Sequence, residues 1–476
     1  MEQPKFAAPL IGGLQNVYFV LLFVVHVLIL DPFSIRAPLP PGVAPYMYGL
    51  YPKLVTLTAT VAVGGLLLAG AFLRGWRPPR RHRGDLLWGS YGVLTLWVLA
   101  AALLRRDDPF LTFHGPVSRA DGVAVQLLWF ALAPLTYLVA TVRRLDPRAA
   151  LTALFVGGGI NAAWMLVQSL GVEPMSLLND AIRAAQPSGG LGNRGPASAY
   201  VGVLLTFLLL NSASPRPLLP VAARVPLLLL LGAALAAAPT RTTWLVLPAL
   251  LLVWCAAQGL RSSWTPVRRV LPAAAVALLG FVLFVSLPAS RDRTDLVTAR
   301  TDGSLEYRLL AARVALRVVA DEPAIGHGAG GFKTQFWTHA TPEEAGAMLR
   351  LARVSKEGNS YSQLENGRRV YLALDQIGND KVHNYLADYA VESGLPAALA
   401  LVVFLVLALK RALDGSGTLA AQLAWALLVY FGCGLTWFAM PTVEPVVWAL
   451  LGLTLALGRH APSPALTPPA RSEDLP

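Results

Sequence analysis

Residues able to do chemistry in this 476-residue sequence collect at four places. One is Val382-His383-Asn384-Tyr385-Leu386, followed by Asp388 and Glu392-Ser393-Gly394. The second is the short turn Pro239-Thr240-Arg241-Thr242-Thr243, and the third is Gly192-Asn193-Arg194-Gly195-Pro196. The fourth begins at Tyr307-Arg308 and continues through Arg313 and Arg317 to Asp321-Glu322-Pro323. Histidine is the side chain best suited to accept a proton near neutral pH. Guanidinium offers paired donors that match the oxygens of a phosphate. Together these residue types suit proton removal from a hydroxyl beside an anchored phosphate group.

Plainer readings stand beside each one. An arginine in a turn at a membrane surface can bind lipid headgroups without specificity, so Arg241 and Arg194 carry both meanings. The segment after Asp302-Gly303 has a helix start at Ser304 with Glu306 in its first turn, and Pro323 stops it. A helix over about 304–320 puts Ala311, Ala315, Val318 and Val319 near one face and Arg313 and Arg317 on a neighbouring one. That pattern equally describes a helix lying on a membrane with solvated arginines. His383 could simply cap or pack a short helix, and Asp388 and Glu392 could be solvated neighbours or could orient its ring.

Gly326-His327-Gly328-Ala329-Gly330-Gly331 formally fits GxGxxG, but it follows a helix and a proline, not a strand, so it is no dinucleotide site. It reads as a flexible turn that lets backbone approach a membrane or ligand. His327, His339 and His383 lack the close spacing of a helical metal site, so no metal and no cofactor is expected. Cys255 and Cys433 both fall in apolar runs, which argues against disulfides.

The elements that must position these residues are membrane helices. The chain is 55% hydrophobic and 14% charged, with a mean hydropathy of +0.55. A span needs about 20 mostly apolar residues. Twelve such runs are read at 10–30, 51–73, 86–104, 122–142, 149–170, 196–211, 225–238, 243–259, 270–288, 395–410, 419–438 and 445–458. Their continuous apolarity is unlike the alternation of a barrel strand. The expected fold is an all-α polytopic membrane protein with about 12 transmembrane helices and a long, partly helical extracytoplasmic loop. The domain plan is nine spans over 1–288, the loop over 289–394, three spans over 395–460 and a disordered cytosolic tail over 461–476.

Charge gives the orientation. With the N-terminus inside, the cytosolic segments hold 18 basic residues and six acids, and the outer segments hold 21 of each. The whole net charge of +12 is therefore a positive-inside signal, not a nucleic-acid footprint. Ile29-Leu30-Asp31-Pro32 offers no small-residue cleavage site, so the first span reads as an uncleaved anchor. No Asp or Glu sits mid-span, and His26 is the one clear titratable candidate in the first span. The absence of buried carboxylates weakens a coupled-transporter reading.

Taken together, Thr240-Arg241-Thr242 leading into a span, Arg308 before Pro323, Gly326-x-Gly328-x-Gly330 with Phe332, and His383 through Pro396 resemble the bacterial O-antigen ligase and polymerase superfamily. The resemblance covers about 235–410, and the N-terminal half matches in its run of spans and in Gly192-Asn193. It implies a metal-independent, inverting, membrane-embedded transferase of the glycosyltransferase-C type in the bacterial inner membrane, with both termini cytosolic. The donor would be a glycan on undecaprenyl diphosphate, and the acceptor a hydroxyl on a glycan or lipid, with membrane lipids as further partners. His383 then stands as the general base, and Arg241 and Arg308, with Arg313 and Arg194, as diphosphate ligands. Ligase-type transfer is expected, to a lipid core, a growing polysaccharide or a protein; the alternatives are a polymerase joining lipid-linked repeats and a lipid or polysaccharide translocator. Two departures are visible: Thr-Arg-Thr where Ser-Arg-Gly is usual, and His327 in place of an apolar residue.

Overall fold

The computed structural model describes residues 7–29, 50–79, 85–105, 109–115, 121–142, 146–174, 187–260, 264–287, 304–358, 360–365, 368–373, 377, 381–414 and 418–459. Each apolar run in the sequence is a helix. The first, α1, runs over Ala7–Val20 and continues through a π-helical turn at Leu21–Val25 into His26–Leu28. Then come α2 (Leu50–Leu73), α3 (Leu86–Leu104), a short α4 (Pro109–His114), α5 (Val123–Val142) and α6 (Pro147–Ser169). They are followed by α7 (Arg194–Ser212), α8 (Val221–Ala237), α9 (Arg241–Leu260) and α10 (Thr265–Val285).

Among the described residues, nine helices are long and apolar enough to cross a membrane by length and composition. The other three apolar runs form the shorter α8, α16 (Leu419–Gly434) and α17 (Glu444–Arg459), of 17, 16 and 16 residues. α7 is the hub, buried along its whole length from Gly195 to Asn211. Lipid is as apolar as leucine, so packing between membrane helices favours small residues that let backbones approach. α8 and α10 do this reciprocally. A methyl at Gly232 would lie 2.0 Å from the Ala277 carbonyl oxygen, and one at Gly280 would lie 2.1 Å from that of Leu229.

Between α10 and the last three long helices lies a unit with its own small core. It contains α11 (Ser304–Asp321), α12 (Gly331–His339), α13 (Pro342–Leu351) and α14 (Tyr385–Ser393), which runs on into α15 (Leu395–Leu413). Leu310, Ala311, Val314, Ala315, Val318, Phe332, Phe336, Met348, Val382 and Val391 pack together there. The expected apolar face of α11 is the buried one, with Arg313 and Arg317 exposed. One small sheet stands within the mostly helical chain. β1 (Ser355–Glu357), β2 (Ser360–Glu365) and β3 (Arg368–Leu372) form an antiparallel sheet in the order β1-β2-β3. Tyr361, Val370 and Tyr371 are aromatic and β-branched side chains of the kind that favours strands.

Two charged side chains are buried among the long helices. Lys53 in α2 donates to the His26 carbonyl at 2.6 Å, and His26 Nδ1 lies 3.2 Å from the Thr56 hydroxyl. Glu444, the first residue of α17 and fully buried, accepts from Tyr430 at 2.6 Å and from Tyr385 and Trp448 at 2.9 Å. Hydropathy alone put Glu444 at the edge of its span, and packing buries it.

Candidate active site

The turns that carry Arg194 and Arg241 meet at one cavity. Gly195, Pro196 and Ala199 line it from α7, Thr240, Thr242 and Thr243 from the turn and start of α9, and Tyr385 from α14. Tyr430, Cys433, Gly434, Thr436, Trp437 and Phe438 complete the wall. The empty space is about 340 Å³, part of it open to solvent. The wall is fastened across its seam: the hydroxyls of Thr242 and Thr436 are 2.7 Å apart, and Thr243 Oγ1 is 3.5 Å from Cys433 Sγ. Gly195 has no side chain because the Trp437 ring lies where one would go; a methyl there would come within 2.8 Å of it.

Trp437 and Phe438 were expected inside the span 419–438. α16 instead ends at Gly434, and both rings stand in the loop that follows, stacked with centroids 5.2 Å apart. Gly432, Gly434 and Pro441 are the sequence signal for that break.

His383 sits edge-on to both rings, at 5.5 Å from Trp437 and 5.0 Å from Phe438, and to Tyr307 at 5.2 Å. The imidazole is thus caged by aromatic edges beside the cavity. Its backbone is in the left-handed region, φ +64°, which costs about 1–3 kcal/mol for a non-glycine residue. Neighbouring bonds offset that strain. The Val382 amide donates to the buried Asp388 carboxylate at 2.7 Å, and a bond to a charged group is worth about 1.5–3 kcal/mol. The Asn384 side chain caps α14 by accepting from the Leu386 and Ala387 amides and also donates to the Leu435 carbonyl at 3.0 Å. Asp388 therefore fixes the backbone immediately before His383.

Glu392 is also buried. It pairs with Lys381, whose ammonium is 2.8 Å from Asp121, and it accepts from the Gly330 amide at 3.1 Å and from Gln126 at 3.4 Å. Burial and the nearby Asp121 push its carboxyl above the usual range, against the pull of Lys381. No sequence signal marks this cluster, because Asp121 is brought in from the start of α5.

The glycine turn differs most from expectation. It is not a flexible loop but a latch against the end of α14. The His327 amide donates to Val391 at 2.6 Å and the Gly328 amide to Glu392 at 3.0 Å, while Arg105 donates to the Gly326 carbonyl. Gly326, at φ +65°, packs against the Val391 carbonyl, and a methyl at Gly394 would lie 1.9 Å from that of Ala324. His327 and His339, separate in sequence, come together here with ring centroids 6.2 Å apart, near Asp321. Among the described residues no group of three or more His, Cys, Asp or Glu side chains could hold a metal ion.

The four candidate arginines divide. Arg194 and Arg241 are the first residues of α7 and α9, so both helices present their positive N-terminal ends at the cavity. Their side chains are not among its lining residues. Arg308 is half-buried next to Tyr307 on α11. Arg313 is exposed, more than a turn further along that helix, and is not part of this wall. A second, apolar hollow with about 510 Å³ of empty space adjoins the first through Thr243; Leu235, Trp244, Leu247, Pro248, Leu278 and Phe281 line it.

The fold is that of a multi-pass membrane protein, with a cavity beside a histidine ringed by aromatic side chains. Residues 226–402 match the family model for O-antigen ligase. A comparison with curated proteins gives no match. The matched family implies a glycosyltransferase-like enzyme acting on a lipid-linked glycan.

Proposed function

We propose that this protein is an inverting, metal-independent glycosyltransferase of the plasma membrane. It moves a glycan from undecaprenyl diphosphate to an acceptor hydroxyl on the outer face, in O-antigen ligase fashion. The observation that carries this reading is the convergence of the Arg194 and Arg241 turns and the rings caging His383 on one cavity.

A sugar hydroxyl is a weak nucleophile, and removing its proton as it attacks is typically worth about 10²–10⁴-fold. His383 supplies that base. The departing diphosphate gains negative charge, which fixed donors in a water-poor cleft stabilise without reorganising. Arg241, Arg194 and Arg308, with two helix N-termini, supply them; Arg313 is better read as a surface residue. The apolar hollow beside Thr243 suits the start of the polyprenyl chain.

Twelve spans, cytosolic termini and an outer cap over 289–394 complete the proposal. The test is genetic and biochemical together: delete the gene, run surface glycans on a gel, and assay lipid-linked donor. Loss of attached polymer with lipid-linked chains retained supports ligase-type transfer. Single attached repeats would point to a polymerase, and normal glycosylation by the Arg241→Lys protein would remove the diphosphate clamp.

A further inference from the structure

Lys381, two residues before His383, is buried, and its two ends do different work. Its ammonium is held between Glu392 of α14 and Asp121 before α5, at 2.8 Å from the latter. Gln126 and the Gly330 amide close the other side of Glu392, so this anchor joins α5, α14 and the glycine latch. Its carbonyl oxygen lies 3.3 Å from Nδ1 of His383 and accepts the Tyr307 hydroxyl at 3.1 Å. Tyr307 also presents its ring to the imidazole.

We propose that Lys381 is the positioning residue for His383: its side chain is anchored so that its carbonyl holds the imidazole through Nδ1. A neutral imidazole that donates from Nδ1 keeps its acceptor at Nε2. That leaves Nε2 to take the hydroxyl proton, which is the role the carboxylate plays toward histidine in serine hydrolases, here given to a backbone oxygen. The arrangement explains two otherwise unconnected features. The left-handed backbone at His383 brings its ring back over the preceding carbonyl, and the buried ion cluster fixes where that carbonyl stands. This inference rests on His383 being the base.

The test is a double-mutant cycle on the full-length protein in proteoliposomes. Turnover is read as release of undecaprenyl diphosphate from a fluorescent undecaprenyl-diphosphate oligosaccharide, with membranes of the deletion strain as acceptor source. Lys381→Met should lower kcat about 10- to 100-fold, the scale of a misplaced catalytic group, with donor KM unchanged. Tyr307→Phe, which removes one bond to the same carbonyl and leaves the ion cluster whole, should lower kcat a few-fold. In a His383→Ala background both changes should cost less than about twofold, since residues acting as one unit are strongly non-additive. Full penalties for either variant in that background would overturn the inference, as would wild-type turnover by Lys381→Met. If Lys381→Met fails to insert, the Tyr307→Phe cycle decides alone. Wild-type turnover by His383→Ala would instead overturn the base itself, so the two failures are distinct.

Discussion

The hydroxyl of Thr242, next to Arg241, meets that of Thr436 at 2.7 Å, one residue before the Trp437 ring that cages His383. This contact ties the arginine turn of α9 to the aromatic loop after α16. Under the proposed function, this wall would couple phosphate binding to base placement. Thr242→Val, which keeps shape and loses the hydroxyl, should weaken both together. A drop in kcat/KM of about 10-fold, near 1.4 kcal/mol, is expected in a steady-state assay.

Replacing His383 separates backbone from chemistry. Asparagine tolerates the left-handed conformation and cannot serve as the base. His383→Asn should insert and bind donor normally while turnover falls by about 10²–10⁴-fold. Near-normal turnover would leave positioning and the arginines to explain the rate.

Arg241→Lys and Arg194→Lys keep the charge and lose the paired donors. Both should raise lipid-linked glycan in cells and cut turnover in vitro, whereas Arg313→Lys, on the exposed side of α11, should stay within about twofold of wild type. A strong Arg313→Lys defect would mean that the diphosphate lies along α11 instead.

The apolar hollow beside Thr243 gives a chain-length test. Leu278→Trp fills space among Leu247, Trp244 and Phe281. Donor KM should rise for an undecaprenyl substrate and stay unchanged for a short-prenyl analogue. Equal effects on both would place the lipid elsewhere.

His327 makes the latch sensitive to acid. Burial pushes its imidazole below the ordinary histidine value, outweighing the Val318 carbonyl that favours the charged ring, and Arg105 adds to the shift. A depressed value means that the neutral ring contributes stability present above the unfolded pKa of about 6.5 and lost as pH falls through the folded one. Hydrogen-exchange protection at residues 326–331, taken relative to the intrinsic rate at each pH, should therefore fall below about pH 6. In His327→Gln that acid dependence should disappear.

Much of the architecture was legible in the sequence because lipid imposes a simple rule. Every buried backbone group must bond within its own helix, so a continuous apolar run declares its element. α3 was read as 86–104 and is Leu86–Leu104; the apolar face of α11 follows from Ala311, Ala315 and Val318. His383, Arg241 and Arg194 were singled out because their residue types and turn contexts limit what they can do. Tertiary structure alone decided the rest. Hydropathy could not tell that Trp437 leaves the membrane helix to cage His383, since an aromatic reads as apolar in either place. Composition could not tell that the glycine run is a latch, because the same permissive backbone serves a loop or a close contact. Nor could spacing pair Lys381 with both Glu392 and Asp121, because burying those charges is tolerable only where the fold brings the partners together.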